Sequence, residues 1–407
     1  MLLVRVSAAL LLCAGLIAGE WPQWRGPRRD GSLESVRLPA ELPHKLVRGW
    51  SVRVGEGHSS PVLAGGKLYV FARERDQETL YAIDPASGKV LWKQSYAAPY
   101  QVNSAAASHG PGPKSTPAVQ AGKVVTLGIS GILSAWDSGD GHLLWRKEFS
   151  REFKSTSPGY GTASSPVMDG GLVIANVGGH DSGAMAAFDL NSGAVKWSNK
   201  SDGPGYASPI ITEMGGVRQV VTQTQQYIAG VRADNGEPLW RVPFKTPYEQ
   251  NIVTPVRYND FLILAGLDNP TMAIKVIKDG SVYRTEKAWE NGQATMYMSS
   301  PVPVGDLLFG FTNKNRGQLF CQDAKTGRVL WTGPPRQGEN AALTTGGGWL
   351  FAMKDDGELL VVKATGAGFE PLRKYQAAES AVWAHPVVTD AGIIVKDTNS
   401  VTLWGWK

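Results

Sequence analysis

Residues Ala82–Trp92 read AIDPASGKVLW, and the chain repeats this pattern as AWDSGDGHLLW at Ala135–Trp145, AFDLNSGAVKW at Ala187–Trp197 and CQDAKTGRVLW at Cys321–Trp331. In each copy an Asp lies eight residues before the Trp, and a Gly lies four residues before it. The Asp carboxylate can accept hydrogen bonds from turn N–H groups, and the Gly permits a positive φ. A buried Trp hides about 150–250 Å² of surface. The pattern therefore predicts a β-hairpin that ends on a large packing anchor.

The repeat assigns structural roles to two sets of side chains. We predict that the Trp residues are packing anchors and that the Asp residues cap turns, because their places in the repeat are fixed. The predicted anchors are Trp50, Trp92, Trp145, Trp197, Trp240, Trp289 and Trp331, and the predicted capping carboxylates are Asp84, Asp137, Asp189 and Asp323.

A second signal marks the start of each unit: a hydroxyl residue or His, then Pro, then an apolar strand. It occurs at Ser60-Pro61, Thr116-Pro117, Ser165-Pro166, Ser208-Pro209, Thr254-Pro255, Ser300-Pro301 and His385-Pro386, and Ala341-Ala342-Leu343 fills the one gap of double length. Units of about 40–55 residues with four strands are typical of propeller blades. We predict an all-β fold, an eight-bladed β-propeller with four-stranded antiparallel blades, or seven blades if the worn seventh unit is miscounted.

The two ends of the chain are predicted to share a blade. After His385-Pro386 there is room for only three strands, whereas Leu46–Val54 is a strand with a Trp but no turn motif before it. Pairing this N-terminal strand with the last blade would close the ring and cover an exposed sheet edge. Residues 46–407 are thus predicted to form one propeller domain, preceded by a leader at 20–45 that packs on the propeller.

Residues 1–19 have the composition of a cleaved signal peptide: Arg5, a short apolar run, and small residues before a cut after Ala18 or Gly19. The apolar run is short for a retained membrane anchor. Leu12 before Cys13 disfavours a lipoprotein. We expect a periplasmic or secreted protein without a transmembrane segment after cleavage. The mature chain would keep Cys321 alone, so there is no disulfide framework. The net charge of +5 is spread along the chain and does not favour nucleic-acid binding.

The repeat Ala-x-Asp-x-x-Thr/Ser-Gly-x-x-x-Trp resembles the pyrroloquinoline quinone (PQQ)-like propeller family over essentially the whole mature chain. The leader segment Trp21–Gly31 looks like the start of many secreted bacterial members. The resemblance implies one of two function classes. One is the PQQ-dependent alcohol and sugar dehydrogenases, with a quinone on a Trp floor, a Ca²⁺ ion and a catalytic Asp. The other is non-catalytic periplasmic propellers similar to BamB, a subunit of the outer-membrane β-barrel assembly machinery.

The length and blade count favour the non-catalytic class. The chain lacks the adjacent Cys pair and the long insertions of the dehydrogenases. We therefore predict a binding or scaffold protein of the bacterial envelope with no cofactor, and a PQQ- and calcium-dependent dehydrogenase as the alternative. The six His residues form no pair with metal-ligand spacing, so no metal site is predicted.

One face of the propeller is the predicted binding surface. Loops that lead into the innermost strands and loops that join the second and third strands meet on this face, here called the funnel face. Its candidate binding residues are His58, Arg73, Lys114, Tyr160, His180, Asp181, Tyr206, Asn251, Asp268, Asn269, Tyr297, Lys314, Arg316, Asn340, Asp355 and Trp383. We predict no catalytic residue among them. The expected partners are envelope or secreted proteins, or a small ligand in the funnel, and the protein is expected to be a monomer.

Overall fold

The computed structural model describes residues 19–407, so the predicted signal peptide lies outside the described residues apart from Gly19. Eight four-stranded antiparallel sheets confirm the predicted eight-bladed β-propeller. The seventh unit, in which the turn consensus is most worn, is a complete sheet. In the described part of the chain, no helix is long and apolar enough to cross a membrane.

Each blade runs from an inner first strand to an outer fourth strand. Blades 1 to 4 consist of Val62–Ala64, Lys67–Glu74, Gln77–Ile83 and Val90–Ala97; Ala118–Gln120, Lys123–Leu127, Leu133–Asp137 and Leu143–Lys147; Val167–Asp169, Leu172–Gly179, Ser182–Asp189 and Val195–Asn199; and Ile210–Met214, Val217–Gln223, Tyr227–Arg232 and Pro238–Pro243.

Blades 5 to 7 consist of Val256–Tyr258, Phe261–Gly266, Asn269–Asp279 and Val282–Asn291; Val302–Val304, Leu307–Thr312, Gln318–Asp323 and Val329–Thr332; and Ala341–Gly346, Trp349–Lys354, Glu358–Lys363 and Pro371–Gln376. Blade 8 combines Val387–Val388, Gly392–Lys396 and Ser400–Gly405 with the N-terminal strand Val47–Arg53. Short 3₁₀ helices lie at Ser104–His109, Pro247–Glu249 and Lys314–Arg316.

The ring is closed by pairing between the two ends of the chain, as predicted. Val47–Arg53 runs antiparallel to Ser400–Gly405, with Val47 opposite Gly405 and Arg53 opposite Ser400. The outer edge of the last blade is therefore covered by residues about 350 positions away in sequence, and no separate cap is needed.

The repeated Asp and Trp residues connect turns to neighbouring blades. Asp189 Oδ1 accepts hydrogen bonds from the N–H groups of Asn191 (3.1 Å) and Ser192 (2.9 Å). The Trp145 indole donates to Leu190 O at 3.0 Å, across the junction between blades 2 and 3. At five junctions the turn glycine of one blade packs against the indole ring of the preceding blade. The pairs are Trp50 with Gly88, Trp92 with Gly141, Trp145 with Gly193, Trp197 with Gly236, and Trp289 with Gly327. The motif thus joins each such blade to the next one.

Trp240 departs from this arrangement. Its indole donates to Gln219 Oε1 of its own blade at 2.7 Å rather than to a turn of blade 5. Blade 5 has a long outer hairpin, Asn269–Asp279 with Val282–Asn291, in place of the compact turn motif. The junction between blades 4 and 5 instead packs Leu262, Leu264 and Ile274 against the blade-4 core.

The hydroxyl residues of the Ser/Thr-Pro signal form hydrogen bonds between neighbouring blades, which the sequence did not predict. The backbone N–H of one hydroxyl residue donates to the side-chain oxygen of its equivalent in the next blade, at 2.8–3.4 Å. The series runs from His385 to Ser60, Thr116, Ser165, Ser208, Thr254 and Ser300. Ala341 has no hydroxyl, and its own N–H donates to Ser299 Oγ at 3.2 Å. We call this series the hydroxyl ring.

The first part of the leader, residues 21–32, packs against inner strands near the axis, whereas its later part packs on blade 7, where Tyr375 Oη donates to Pro43 O at 2.6 Å. Trp21 pairs with Leu63 of blade 1, and the Arg29 guanidinium donates to Ser165 O and Pro166 O of blade 3, each at 3.0 Å. Arg25, which is fully buried, donates to carbonyl groups of blade 6. The leader therefore packs against the inner strands of blades that are far apart along the chain.

Candidate functional site

A pocket of about 250 Å³ opens on the funnel face at the propeller axis, and we call it the axial pocket. Its lining residues are Trp24, His58, Ala105, Ala106, His109, Lys114, Tyr160, Ala163, Tyr206, Ser208, Gln250, Ile252, Thr254, Tyr297, Met298, Ser300, Asn340 and Trp383. Trp24 comes from the leader, and its indole donates to Thr254 Oγ1 of the hydroxyl ring at 3.2 Å. The leader thus contributes an aromatic ring to the innermost part of the pocket.

Aromatic rings form the walls of the axial pocket in two groups. On one side, His109 packs edge-on against Trp383 with ring centroids 4.6 Å apart, and His58 lies 5.8 Å from His109. On the other side, the Tyr160 and Tyr206 rings lie 5.9 Å apart, and the Tyr160 N–H donates to Tyr206 Oη at 3.1 Å. Flat, rigid walls of this kind favour a flat apolar ligand.

Lys114 is the one lining residue whose side chain carries a charge at neutral pH. Its Nζ donates to Tyr160 O at 2.8 Å, and no carboxylate of the described residues lies within 4.0 Å of it. Burial lowers the pKa of Lys114 to about 8. The ammonium is therefore held in a poorly solvated place with only part of its hydrogen-bonding capacity used.

The two histidines beside Lys114 are neutral. Burial, followed by the charge of Lys396, lowers the pKa of His58 to about 3. Burial and then Lys114 lower the pKa of His109. Lys396 itself lies outside the pocket, where its Nζ donates to Gly57 O at 2.9 Å and to the carbonyls of nearby residues, so it fixes the loop that carries His58.

A polar network on the rim of the funnel face joins blades 3 and 4. His180 Nδ1 lies 2.8 Å from Glu249 Oε2, and Gln225 Nε2 donates to Asp181 Oδ1 at 3.0 Å and to Glu249 Oε1 at 2.7 Å. Tyr248, next to Glu249, is 76% exposed and has a φ of +59°. The left-handed backbone is uncommon for an aromatic residue, so the loop is held in this form by its side-chain contacts.

The predicted binding residues divide into two groups. The axial pocket brings together His58, Lys114, Tyr160, Tyr206, Tyr297, Asn340 and Trp383. The remaining residues lie outside it: Arg73, His180, Asp181, Asn251, Asp268, Asn269, Lys314, Arg316 and Asp355. The role of both groups in binding stays a prediction.

Besides His180 and Asp181 of the rim network, Asn251 and Asp355 of the second group have structural contacts. The fully buried Asn251 donates to Thr224 O at 2.7 Å and Phe244 O at 3.0 Å. Asp355 Oδ1 accepts from the N–H groups of Glu339 (2.9 Å) and Asn340 (3.1 Å). These contacts fix loops of the funnel face, and burial leaves little of the Asn251 side chain for a ligand.

Sequence reasoning missed the contribution of Trp24 and of the hydroxyl ring residues Ser208, Thr254 and Ser300 to the pocket. The hydroxyl residues were identified only as the starts of strands. Trp24 lies outside the repeat, so the period gives it no position. The close pair Trp21 and Trp24 was the available signal, because tryptophan side chains are highly buried on average.

The lining residues of the axial pocket do not fit a calcium-bound quinone. Ca²⁺ takes six to eight oxygen ligands, usually with carboxylates among them. No Asp or Glu lines this pocket in the part of the chain that the structure describes. The quinone also carries several carboxylates, whereas the pocket offers a single cationic side chain, Lys114, to neutralise them. The largest grooves on the described surface, of about 640 and 810 Å³, are more polar and share no lining residue with the axial pocket.

Fold and site together define an eight-bladed propeller of the PQQ-like repeat type with an aromatic axial pocket. The model of the family described as outer membrane protein assembly factor BamB matches residues 43–105 and 76–333. The chain belongs to that family.

Individual relatives agree with this assignment. The chain is 24% identical to BamB of Shewanella oneidensis over 323 residues, which are 77% of this chain and 67% of that protein. It is 25% identical to BamB of Yersinia pestis over 280 residues, which are 68% of this chain and 65% of that protein. The matched segment thus spans slightly less than two thirds of the Yersinia protein.

Solved structures share the fold at low sequence identity. BamB from Moraxella catarrhalis superposes with a TM-score of 0.62 and 16% identity, covering 88% of this chain and 99% of that chain. The quinohemoprotein alcohol dehydrogenase ADHIIG from Pseudomonas putida HK5 superposes with a TM-score of 0.69 and 14% identity, covering 95% of this chain and 80% of that chain. At such identities the likeness concerns the fold alone, and it does not choose between the two classes.

Proposed function

We propose that this protein is an exported, non-catalytic propeller that acts as a binding or scaffold protein in the bacterial cell envelope. Its partners would be envelope proteins that dock on the funnel face, by analogy with relatives named outer membrane protein assembly factors. The absence of carboxylates from the lining of the axial pocket, among the described residues, supports the non-catalytic class. Both export and the monomeric state stay predictions.

The observation that carries the docking proposal is the exposed Tyr248 on a fixed loop. Glu249 is held from two sides, by His180 at 2.8 Å and by Gln225 at 2.7 Å. Tyr248 is therefore presented to solvent on a backbone that needs little ordering when a partner binds. Tyrosines of this kind are frequent anchors of protein interfaces.

Site-specific photo-crosslinking in the envelope tests this proposal. A photo-reactive phenylalanine analogue replaces Tyr248 in one variant and Val282 in the control. Val282 is a comparable exposed apolar residue, 64% exposed, in the outer hairpin of blade 5. We expect a discrete adduct from position 248 that contains an outer-membrane assembly protein, and none from position 282. Identical adducts from both positions, or no adduct from 248, would contradict docking through this face.

A direct assay separates the scaffold from the dehydrogenase alternative. Protein is incubated with PQQ and Ca²⁺, and retained quinone absorbance and reduction of an artificial electron acceptor with alcohols or sugars are measured. We expect neither, because the pocket offers one lysine and, among its described lining residues, no carboxylate to hold calcium. Stoichiometric quinone retention with substrate-dependent turnover that is lost in Asp268→Ala would establish the dehydrogenase instead.

A further inference from the structure

The size and shape of the axial pocket limit its occupant to a small flat molecule. A volume of about 250 Å³ is below the usual range for drug-sized ligands, and it suits one ring or two fused rings. Trp24, Trp383, Tyr206 and Tyr297 supply aromatic surface from separate parts of the chain. Tyr297 Oη donates to Gln250 Oε1 at 2.6 Å, which holds its ring in place.

The electrostatics of the pocket select the charge of the occupant. Aromatic cages often bind organic cations, but the Lys114 ammonium would repel a cation here. No lining carboxylate offsets that charge among the residues described. An anion is favoured instead, because it would pair with a lysine whose burial otherwise costs free energy. The neutral His58 and His109 add aromatic surface without adding charge.

The contacts of Lys114 determine how an anion could be held. One N–H of its ammonium is used by Tyr160 O at 2.8 Å. An ammonium has three donors, so two remain for a ligand. Tyr160 is tied in turn to Tyr206, so the lysine head group is anchored to the wall on which a ring would stack. A charged group and a stacking surface are thus combined in one rigid unit.

We propose that the axial pocket binds a small aromatic carboxylate, whose ring packs among the tryptophan and tyrosine side chains and whose carboxylate pairs with Lys114. This goes beyond the proposed scaffold function, because it concerns the axis rather than the rim. The ligand class follows from the aromatic lining, from Lys114 as the single cation among the lining residues, and from the lack of lining acids. A molecule with several carboxylates would leave all but one of them without a partner.

Matched acid and amide probes test the charge requirement. Binding of indole-3-acetate and benzoate to the full-length mature protein is measured by isothermal titration calorimetry and compared with indole-3-acetamide and benzamide. The amides keep the ring and lose the negative charge. We expect the acids to bind at least about tenfold more tightly, as a charge-assisted hydrogen bond in a desolvated place implies. Equal affinity for acid and amide would overturn the proposal, and so would failure of every acid to bind at millimolar concentration.

Variants assign the effect to Lys114. In Lys114→Met, acid affinity is expected to fall to that of the amide while amide affinity stays the same. Lys325→Met removes an exposed turn lysine far from the pocket and should change neither. Unchanged acid affinity in Lys114→Met would refute the assigned role. The wild-type comparison of acid and amide stays decisive even if Lys114→Met does not fold. Tyr248→Ala should leave acid binding intact, so failure of partner docking and failure of ligand binding are distinguishable.

Discussion

Replacing Gly193 with Ala is expected to destabilise the junction between blades 2 and 3 by more than the backbone cost alone. Gly193 has a φ of +69°, and a Cβ at this position would lie 2.7 Å from Trp145 Cδ2 and 2.9 Å from its Cε3. Trp145 cannot move freely, because it is buried and donates to Leu190 O at 3.0 Å. The added methyl group must therefore displace the anchor or the turn.

Gly216 provides a matched control for this substitution. Its φ is +70°, and a Cβ there would meet no atom within 4 Å. Gly216→Ala should cost only the left-handed backbone penalty, roughly 1–2 kcal/mol. Gly193→Ala should cost a further 1–3 kcal/mol, roughly, for overpacking. Trp145→Ala sets a scale for complete loss of the anchor, roughly 3–5 kcal/mol.

The free energy of unfolding of the two glycine variants is measured by guanidinium denaturation, followed by tryptophan fluorescence. We expect Gly193→Ala to have the lower midpoint by a clear margin. If both variants lose the same stability, the turn glycine is needed only for its φ, and the reasoning that it makes room for the indole of the preceding blade is wrong.

Three further predictions concern the ends of the chain, the thiol and the pocket. Deleting residues 20–56 removes both the axial leader and the closing strand, so the melting temperature of the whole ring should fall by many degrees; a change of one or two degrees would contradict the closure argument. Burial raises the pKa of the Cys321 thiol to about 12, so alkylation at pH 8 should be negligible until denaturant is added, and rapid labelling of the native protein would show an exposed thiol. Affinity for indole-3-acetate should weaken as the pH rises through about 8, where Lys114 loses its proton. His58 and His109 stay neutral because burial lowers their pKa, whereas burial lowers the pKa of Lys396, outside the pocket, to about 7, so its own loss of charge is largely complete before that of Lys114. A flat calorimetric profile from about pH 7 to about pH 9 would argue against Lys114.

The repeat made the blades predictable, because the residues that define each hairpin lie close together in sequence. The eight sheets and the pairing of the two ends agree with what the period of the Trp residues requires. The hydrogen bonds of the hydroxyl ring could not be predicted from the repeat. The bond from Ser60 to Thr116 joins residues that are 56 positions apart, and it depends on the curvature of the ring rather than on local pattern.

The sequence predicted which loops form the candidate site, but not which side chains of those loops line the pocket. Neighbouring residues of one loop can point in different directions, and the direction depends on backbone conformation that the repeat does not define. Gln250 and Ile252 line the pocket, whereas Asn251 between them is buried against backbone carbonyls. Trp24 could not be placed at all from its neighbours in sequence, because its partner Thr254 lies 230 residues away.

The packing of the leader near the axis has a consequence for the order of events during synthesis. Trp21–Arg29 is synthesised before any of the blades, yet Arg25 donates to Ser300 O at the start of blade 6, 275 residues later. This segment therefore cannot make its final contacts until most of the chain has been synthesised. Such non-local contacts slow folding, because the entropy of closing long loops is lost before the contacts form. The inner strands of the propeller must therefore close around the leader. In a nascent chain halted before blade 6, Arg25 would lack its acceptors Ser300 O and Pro301 O.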